Sequence, residues 1–399
     1  MRGRTLRMSL AVLEAALAAA LAVTLIGCSA GGTSQTEEKP EAEPIKVGVI
    51  VSLTGQYAGL GAPEKKAMEL EIERINSAGG VNGRPVQLLF EDDATDEAKA
   101  VAAATKLIDQ EGVVAIIGAT GTGQTMAIRE NVKRAGIPNV SMAGGTVITS
   151  EFDPLVFQTP WSNKIVVPFT LAQLKKAGVT KVALITSSDG FGKDGKAVLE
   201  AEAPKAGVEI VANETFNPGD TDMTAQLTKI KGSDAQAIVL WNAGKDASTV
   251  AKNAKDLGIT IPLYGSHGNA RREFISGAGD AAEGFRFAAG KILVPEAYGE
   301  GTEGYKVATD FIERYSTFAG EPPNTFAGHA YDALYLIVEA AKRVEGDLTP
   351  TALRDEIEKT NGWVGIGGTF TFSPTDHNGL TESDLVLYEV KDGNWIVVE

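Results

Sequence analysis

The chain has 399 residues, 43% of them apolar and 22% charged, and its 37 Lys and Arg against 52 Asp and Glu give a net charge of −15. That length and apolar content suit two or three domains of about 150 residues and exclude a mostly disordered chain. The acidic balance argues against a nucleic-acid groove, which needs clustered Lys and Arg. One cysteine, Cys28, and three scattered histidines, His267, His329 and His377, offer no disulfide, no cysteine cluster and no HExxH zinc motif, so neither metal nor cofactor is expected.

Arg2, Arg4 and Arg7 precede the stretch AALAAALAVTLI (15 to 26), apolar but for Thr24. Twelve residues are too few for a membrane span of about 20 and suit the core of a secretory signal, which assigns residues 1–27 to a signal peptide. The sequence Leu25-Ile26-Gly27-Cys28 that follows resembles the bacterial lipobox, so Cys28 is the expected lipidation site, with cleavage after Gly27. Residues 28–44, of which SAGGTSQTEEKPEAEP is polar and without period, read as a flexible tether. The mature chain then keeps 34 positive and 51 negative charges and is expected outside the cytoplasm, on a lipid anchor.

From Ile45 short apolar runs alternate with amphipathic ones. IKVGVIV (45–51) reads as a buried strand, 63–76 as a helix entered at Pro63, VQLLFEDD (86–93) as a strand, 96–109 as a helix and VVAIIG (113–118) as a strand. A helix over 125–135 and the strand NVSM (139–142) complete a βαβαβαβ series, which specifies a parallel sheet between helices. The segment PLVFQTPWSN, broken by Pro160, carries no period. The rhythm restarts with helices over 166–177, 193–206, 223–231 and 247–257 around the strands KVALITSS (181–188), EIVANETF (209–216), AQAIVLWN (235–242) and PLYG (262–265). Beyond Gly290 come KILVP, helices over 304–318, 326–343 and 351–359, and the alternating segments GGTFTFSP and DLVLYEVKDGNWIVVE, the latter a hairpin about Asp392-Gly393. The predicted fold is α/β with two doubly wound lobes, the tail returning to the first lobe and then adding edge strands to the second.

Ligands of open parallel sheets sit beyond the carboxyl ends of the strands. The loops there are SLTGQYAGLG (52–61), ATGTGQT (119–125), AGGT (143–146), SSDGFG (187–192), WNAGKD (241–246) and GSHGNA (265–270). Thr120, Gly121, Thr122 and Gly123 lead into a helix whose free N–H groups favour an anion, or else form a plain Gly-rich turn with a Thr cap. Ala143, Gly144, Gly145 and Thr146 offer further N–H groups, again as a site or as a turn. Phe191 and Trp241 are either pocket walls or core, Tyr57 is a loop aromatic of the same ambiguity, and for His267, a lone loop histidine, a structural hydrogen bond is the ordinary role. His329 lies on a helix, where a structural role is the ordinary one. No GxxxxGK[ST] loop, no GxGxxG after the first strand and no GxSxG elbow occurs, and Glu91-Asp92-Asp93 reads as a solvated strand end. No enzyme is expected.

The run from IKVGVIVSLTGQYAGLG through VVAIIGATGTGQT, continued in DGFGKDG, GSHGN, AAEGF and FAGHAYDAL, resembles the Leu/Ile/Val-type periplasmic binding proteins of ATP-driven importers over residues 45–399. The resemblance implies a type I fold of two lobes joined by three crossovers, near Pro160, Gly290 and Pro374, that closes on a small ligand, with one lobe of 45–160 plus 291–374 and the other of 161–290 plus 375–399. It maps carboxylate-holding groups onto Thr120–Gly123 and Ala143–Thr146 and aromatic walls onto Phe191 and Trp241. It implies a monomeric receptor for membrane permeases, with ligand sensing for a membrane partner as the alternative role. Relatives pair the ligand ammonium with an acidic side chain after the PLYG strand, where this sequence has His267. A neutral imidazole does not offset a buried ammonium, so an organic acid competes with branched-chain amino acids as the expected ligand.

Overall fold

The computed structural model describes residues 42–398. Five parallel strands form the first sheet: β1 (Ile45–Val51), β2 (Val86–Asp92), β3 (Ala115–Gly118), β4 (Asn139–Ser141) and β5 (Val156–Gln158), in the order β2-β1-β3-β4-β5. The helices between them are α1 (Ala58–Ser77), α2 (Glu97–Asp109), α3 (Thr122–Ala135) and the short α4 (Val147–Ser150). Val47, Val49 and Val51 of β1 join one core with Ala67 and Met68 of α1, whereas Ile50 joins a second core with Leu107 of α2 and Ile128 of α3. The sheet is therefore covered on both faces, which is why β1 is an almost continuous apolar run. Each such residue, fully buried, contributes roughly 1.5–3 kcal/mol.

The chain then runs through α5 (Asn163–Lys176) into a second sheet that repeats the pattern with β6 (Lys181–Ser187), α6 (Gly190–Glu202), β7 (Glu209–Phe216), α7 (Thr224–Lys231), β8 (Ala237–Trp241), α8 (Ala247–Asp256), β9 (Leu263–Gly265), α9 (Arg272–Ala278) and β10 (Arg286–Gly290). After β10 it turns through short 3-10 segments to α10 (Glu303–Ala319), α11 (Thr325–Arg343) and α12 (Pro350–Glu358), of which α10 and α11 pack on α1. A separate hairpin of β11 (Asn361–Val364) and β12 (Thr369–Thr371) follows, and the antiparallel pair β13 (Leu385–Lys391) and β14 (Asn394–Val398) closes the second sheet. Its order is β14-β13-β10-β9-β8-β6-β7, so the parallel part runs β7-β6-β8-β9-β10, the same reversal as in the first sheet. Asp392 and Gly393 have φ of 51° and 70° in the terminal turn, as a two-residue hairpin requires.

Several elements depart from the periodicity. Helix α1 starts at Ala58, five residues before Pro63, because the N–H groups of Leu60 and Gly61 both donate to Tyr57 O and set the first turn ahead of the proline. Helix α3 starts at Thr122, one turn earlier than expected, with Gly121 extended as its N-cap. Strand β5 falls in the segment without period, and β10 precedes KILVP, which forms 3-10 turns. Among the described residues no helix is long and apolar enough to cross a membrane. Residues 1–41, on which the expected signal peptide, the expected lipidation site Cys28 and nearly all of the expected tether fall, lie outside the described residues.

Candidate functional site

Both sheets reverse their strand order beside β1/β3 and β6/β8, and the loops at those carboxyl ends face one another. In the first lobe, Ser52 N–H donates to Thr120 Oγ1 at 3.0 Å, and Thr120 Oγ1 donates to Glu64 Oε2 at 2.5 Å. Glu64 is fully buried, and burial pushes its carboxyl well above the usual range. The Thr120 hydroxyl is thus committed to ordering the β1 and β3 loops. Two residues on, at the first turn of α3, Thr122 Oγ1 is buried without a hydrogen-bond partner.

The second lobe supplies an aromatic corner. Asp189 caps α6 by accepting from Gly192 N–H at 2.7 Å, which fixes Phe191 in the first turn. Behind Phe191 the Trp241 ring stacks at 6.4 Å between centroids, its Nε1–H donating to Asn163 Oδ1 at 3.0 Å. His267 follows β9 in a turn capped by Ser266, edge-on to Phe191 at 5.2 Å. It is 6% exposed, and neither ring nitrogen has a partner. Burial lowers it to about 3. Across from it, His329 of α11 is 3% exposed, is also lowered to about 3 by burial and by His267, and leaves Nδ1 unpaired. Both imidazoles are neutral at physiological pH.

Several hydrogen bonds join the lobes around these groups, among them Asn163 N–H to Gly144 O at 2.9 Å. Tyr57 Oη donates to Asp189 Oδ2 at 2.9 Å, and the N–H groups of Thr146 and Val147 donate to the two oxygens of Asp194 on α6, at 2.7 and 3.1 Å. Burial and the neighbouring Asp189 raise the Tyr57 hydroxyl well above its usual range, so it acts as a donor. At two points the surfaces meet without side chains: a Cβ on Gly144 would overlap His267 Nε2, and one on Gly190 would lie 2.8 Å from Gly123 N. The contacts leave between the lobes a cavity of about 20 Å³, room for roughly one water, so the lobes must part to admit a ligand.

A profile of the family described as periplasmic binding protein matches residues 44–394. The chain belongs to this family. Its two sheets are the lobes of the type I periplasmic binding protein fold. The binding protein is 26% identical to Leu/Ile/Val-binding protein homolog 3 of Brucella melitensis, over 89% of this chain and 94% of the relative. It is 24% identical to the leucine-, isoleucine-, valine-, threonine-, and alanine-binding protein of Pseudomonas aeruginosa, over 87% and 90%. Among solved structures, it resembles an extracellular ligand-binding receptor of Rhodopseudomonas palustris (TM-score 0.83, 28% identity, 89% of this chain and 99% of that one). It also resembles the branched-chain amino acid transporter substrate binding protein LivJ of Streptococcus pneumoniae in complex with isoleucine (TM-score 0.79, 29% identity, 89% and 99%).

Of the residues singled out by sequence, Tyr57, Thr120, Gly121, Thr122, Ala143, Gly144, Phe191 and His267 line the cavity of the binding protein. Gly123, Gly145, Thr146 and Trp241 do not. Gly123 faces Glu97 and Gly190 at the outer rim, Gly145 packs on Thr122, Thr146 gives its N–H to Asp194, and Trp241 stands behind Phe191 as core. Leu60, Met142, Pro160, Ala243, Gly268, Phe326 and His329 line the cavity without having been singled out for it. Most are small or apolar and look like core from sequence, but His329 shares the FAGHAYDAL motif with Phe326, a signal passed over because a helical histidine is ordinarily structural.

Proposed function

We infer that the protein is a lipid-anchored, extracytoplasmic solute-binding component of an ABC importer, which closes its two lobes on a small carboxylate-bearing ligand and delivers it to membrane permeases. The observation that carries this reading is the cavity itself. It is enclosed by loops of both lobes at the strand-order reversals and lined by apolar groups and by hydroxyl and imidazole atoms that find no partner in the protein. Buried unpaired polar atoms cost about 1–3 kcal/mol each, and a ligand that satisfies them shifts the lobes toward closure. Relatives named for leucine, isoleucine and valine binding, and a similar structure in complex with isoleucine, support a ligand of amino-acid size. The lipobox at Cys28 supports anchoring. Thr120, the cavity hydroxyl that meets a carboxylate, spends that bond with Glu64 on ordering two loops, and Thr122 has no base beside it, which favours binding over catalysis.

Thermal-shift screening of the purified protein with the twenty amino acids and a panel of C4 to C9 carboxylic acids tests the reading. One or more should raise the unfolding temperature in a concentration-dependent way. Failure of every compound at millimolar concentration refutes it.

A further inference from the structure

Not one of the fifteen residues lining the cavity is an Asp, Glu, Lys or Arg. Four of its buried polar side-chain atoms lack partners: both ring nitrogens of His267, Nδ1 of His329 and Oγ1 of Thr122. The two imidazoles come from opposite lobes, His267 after β9 and His329 from α11 against the first sheet, and each is more than nine-tenths buried. A neutral imidazole has one donor and one acceptor nitrogen. An ammonium head group would bring three donors and a positive charge into a wall that has no carboxylate to offset them, a cost of several kcal/mol. A carboxylate brings acceptors to imidazole, hydroxyl and backbone donors, and its own charge is matched by protonating one ring.

We propose that His267 and His329 grip, from opposite lobes, the head group of a small carboxylic acid that lacks an α-ammonium, and that one imidazole takes up a proton from solvent as the carboxylate enters. The proposal rests on the solute-binding reading and narrows its substrate class. The proton moves from buffer to a ring nitrogen, the bound pair is imidazolium and carboxylate, and the net charge of the buried site is unchanged. No other ionisable group competes directly. His267 packs against Gly144, Phe191 and Trp241, and His329 against Trp161 and Phe326, with each histidine the other's titratable neighbour. Tyr57 faces the same cavity but turns its hydroxyl to Asp189, with Asp246 and Arg271 beyond, and Glu64 is held behind Thr120. Both imidazoles are held neutral in the unliganded cavity, so either has a proton to gain.

Isothermal titration of the purified protein with leucine, with 4-methylpentanoate (leucine with hydrogen in place of the ammonium) and with benzoate, each in phosphate and in Tris at pH 7.5, decides the matter. At least one acid should bind 100-fold or more tighter than leucine. Its enthalpy should differ between the buffers by the equivalent of about one proton taken up, and its affinity should fall roughly tenfold per pH unit between pH 7 and 9. Gln can donate and accept but not protonate, so the double variant H267Q/H329Q should abolish the buffer dependence while the preference for acids over leucine remains. Leucine binding tighter than both acids, with H267Q and H329Q each within threefold of the unaltered protein, overturns this proposal and leaves the solute-binding reading intact. Absence of binding by every compound overturns both.

Discussion

Asp194 is the residue on which closure of the two lobes should turn. Its carboxylate sits on α6 of the second lobe and accepts the backbone N–H groups of Thr146 and Val147 from the first, besides Asn163 Nδ2 within its own lobe at 2.7 Å. Only the two backbone bonds are broken when the lobes part. Hydrogen bonds to a charged group contribute a net ~1.5–3 kcal/mol each, and because these two share one carboxylate that water solvates in the open form, about 3 kcal/mol is the reasonable sum. D194A should therefore weaken binding of a stabilising ligand roughly 10²-fold by titration calorimetry. The loss should appear in the dissociation rate by stopped-flow fluorescence, since the bonds form after encounter. D194N, which keeps the volume but turns one acceptor into a donor facing an N–H, should lose nearly as much. The Asn163 bond lies within a lobe, so urea unfolding of the ligand-free variants monitors the separate cost to stability. Binding within threefold of the unaltered protein in both variants, or a change confined to the association rate, would refute this reasoning.

G144A tests the same closure from the other side: the added methyl overlaps His267 Nε2 only when the lobes meet, so affinity should drop more than tenfold while the unfolding temperature of the ligand-free protein stays within about 2 °C. Acid should open the ligand-free protein. The cavity histidines fall from 6.5 to about 3 on burial, so below pH 6.5 the open form binds protons that the closed form does not, and closure, fully favoured above 6.5, is lost as pH falls. At one unit lower the two rings together shift the balance by roughly 2–3 kcal/mol; small-angle scattering should show a larger radius of gyration at pH 5.5 than at pH 7.5, and the same radius at both in H267Q/H329Q. Finally, C28S should abolish metabolic labelling with a fatty acid and release the protein from the membrane fraction, whereas continued labelling refutes lipidation at Cys28.

The two-sheet fold was legible where burial leaves a local trace. Strands β1, β6 and β8 are covered on both faces and read as near-continuous apolar runs, and Asp392-Gly393 declared its hairpin through a turn that needs positive φ. Strand β10 left no such trace because its sequence, RFAAG, is shaped by its neighbours: a Cβ on Gly290 would overlap the Trp161 indole, so small residues replace the β-branched ones that mark a strand. Strand β5 is three residues long between Pro154 and Pro160, too short for a period to register. The start of α3 at Thr122 was obscured by Gly121 and Gly123, which read as loop although one is the N-cap and the other lies in the first turn.

The site divides along a different line. Residues that follow a strand could be placed by the rule that ligands gather at carboxyl ends, and Tyr57, Thr122, Phe191 and His267 reach the cavity for that reason. His329 could not be placed so. Helix α11 is buried around nearly its whole circumference, and no periodicity distinguishes the side that meets the cavity from the sides that meet α1 and α12. Only the approach of the second lobe gives His329 its partner across the gap. The same approach shows how a chain with a net charge of −15 would accommodate the proposed anion: the acidic side chains nearest the cleft are already engaged, Asp189 with Tyr57 and the α6 cap, Asp194 with three N–H donors and Glu64 with Thr120. Each spends its oxygens on holding loops or lobes in place. What is left facing the cavity is uncharged, and in the proposed complex a proton gained by one of the two rings would balance the carboxylate and leave the buried site neutral.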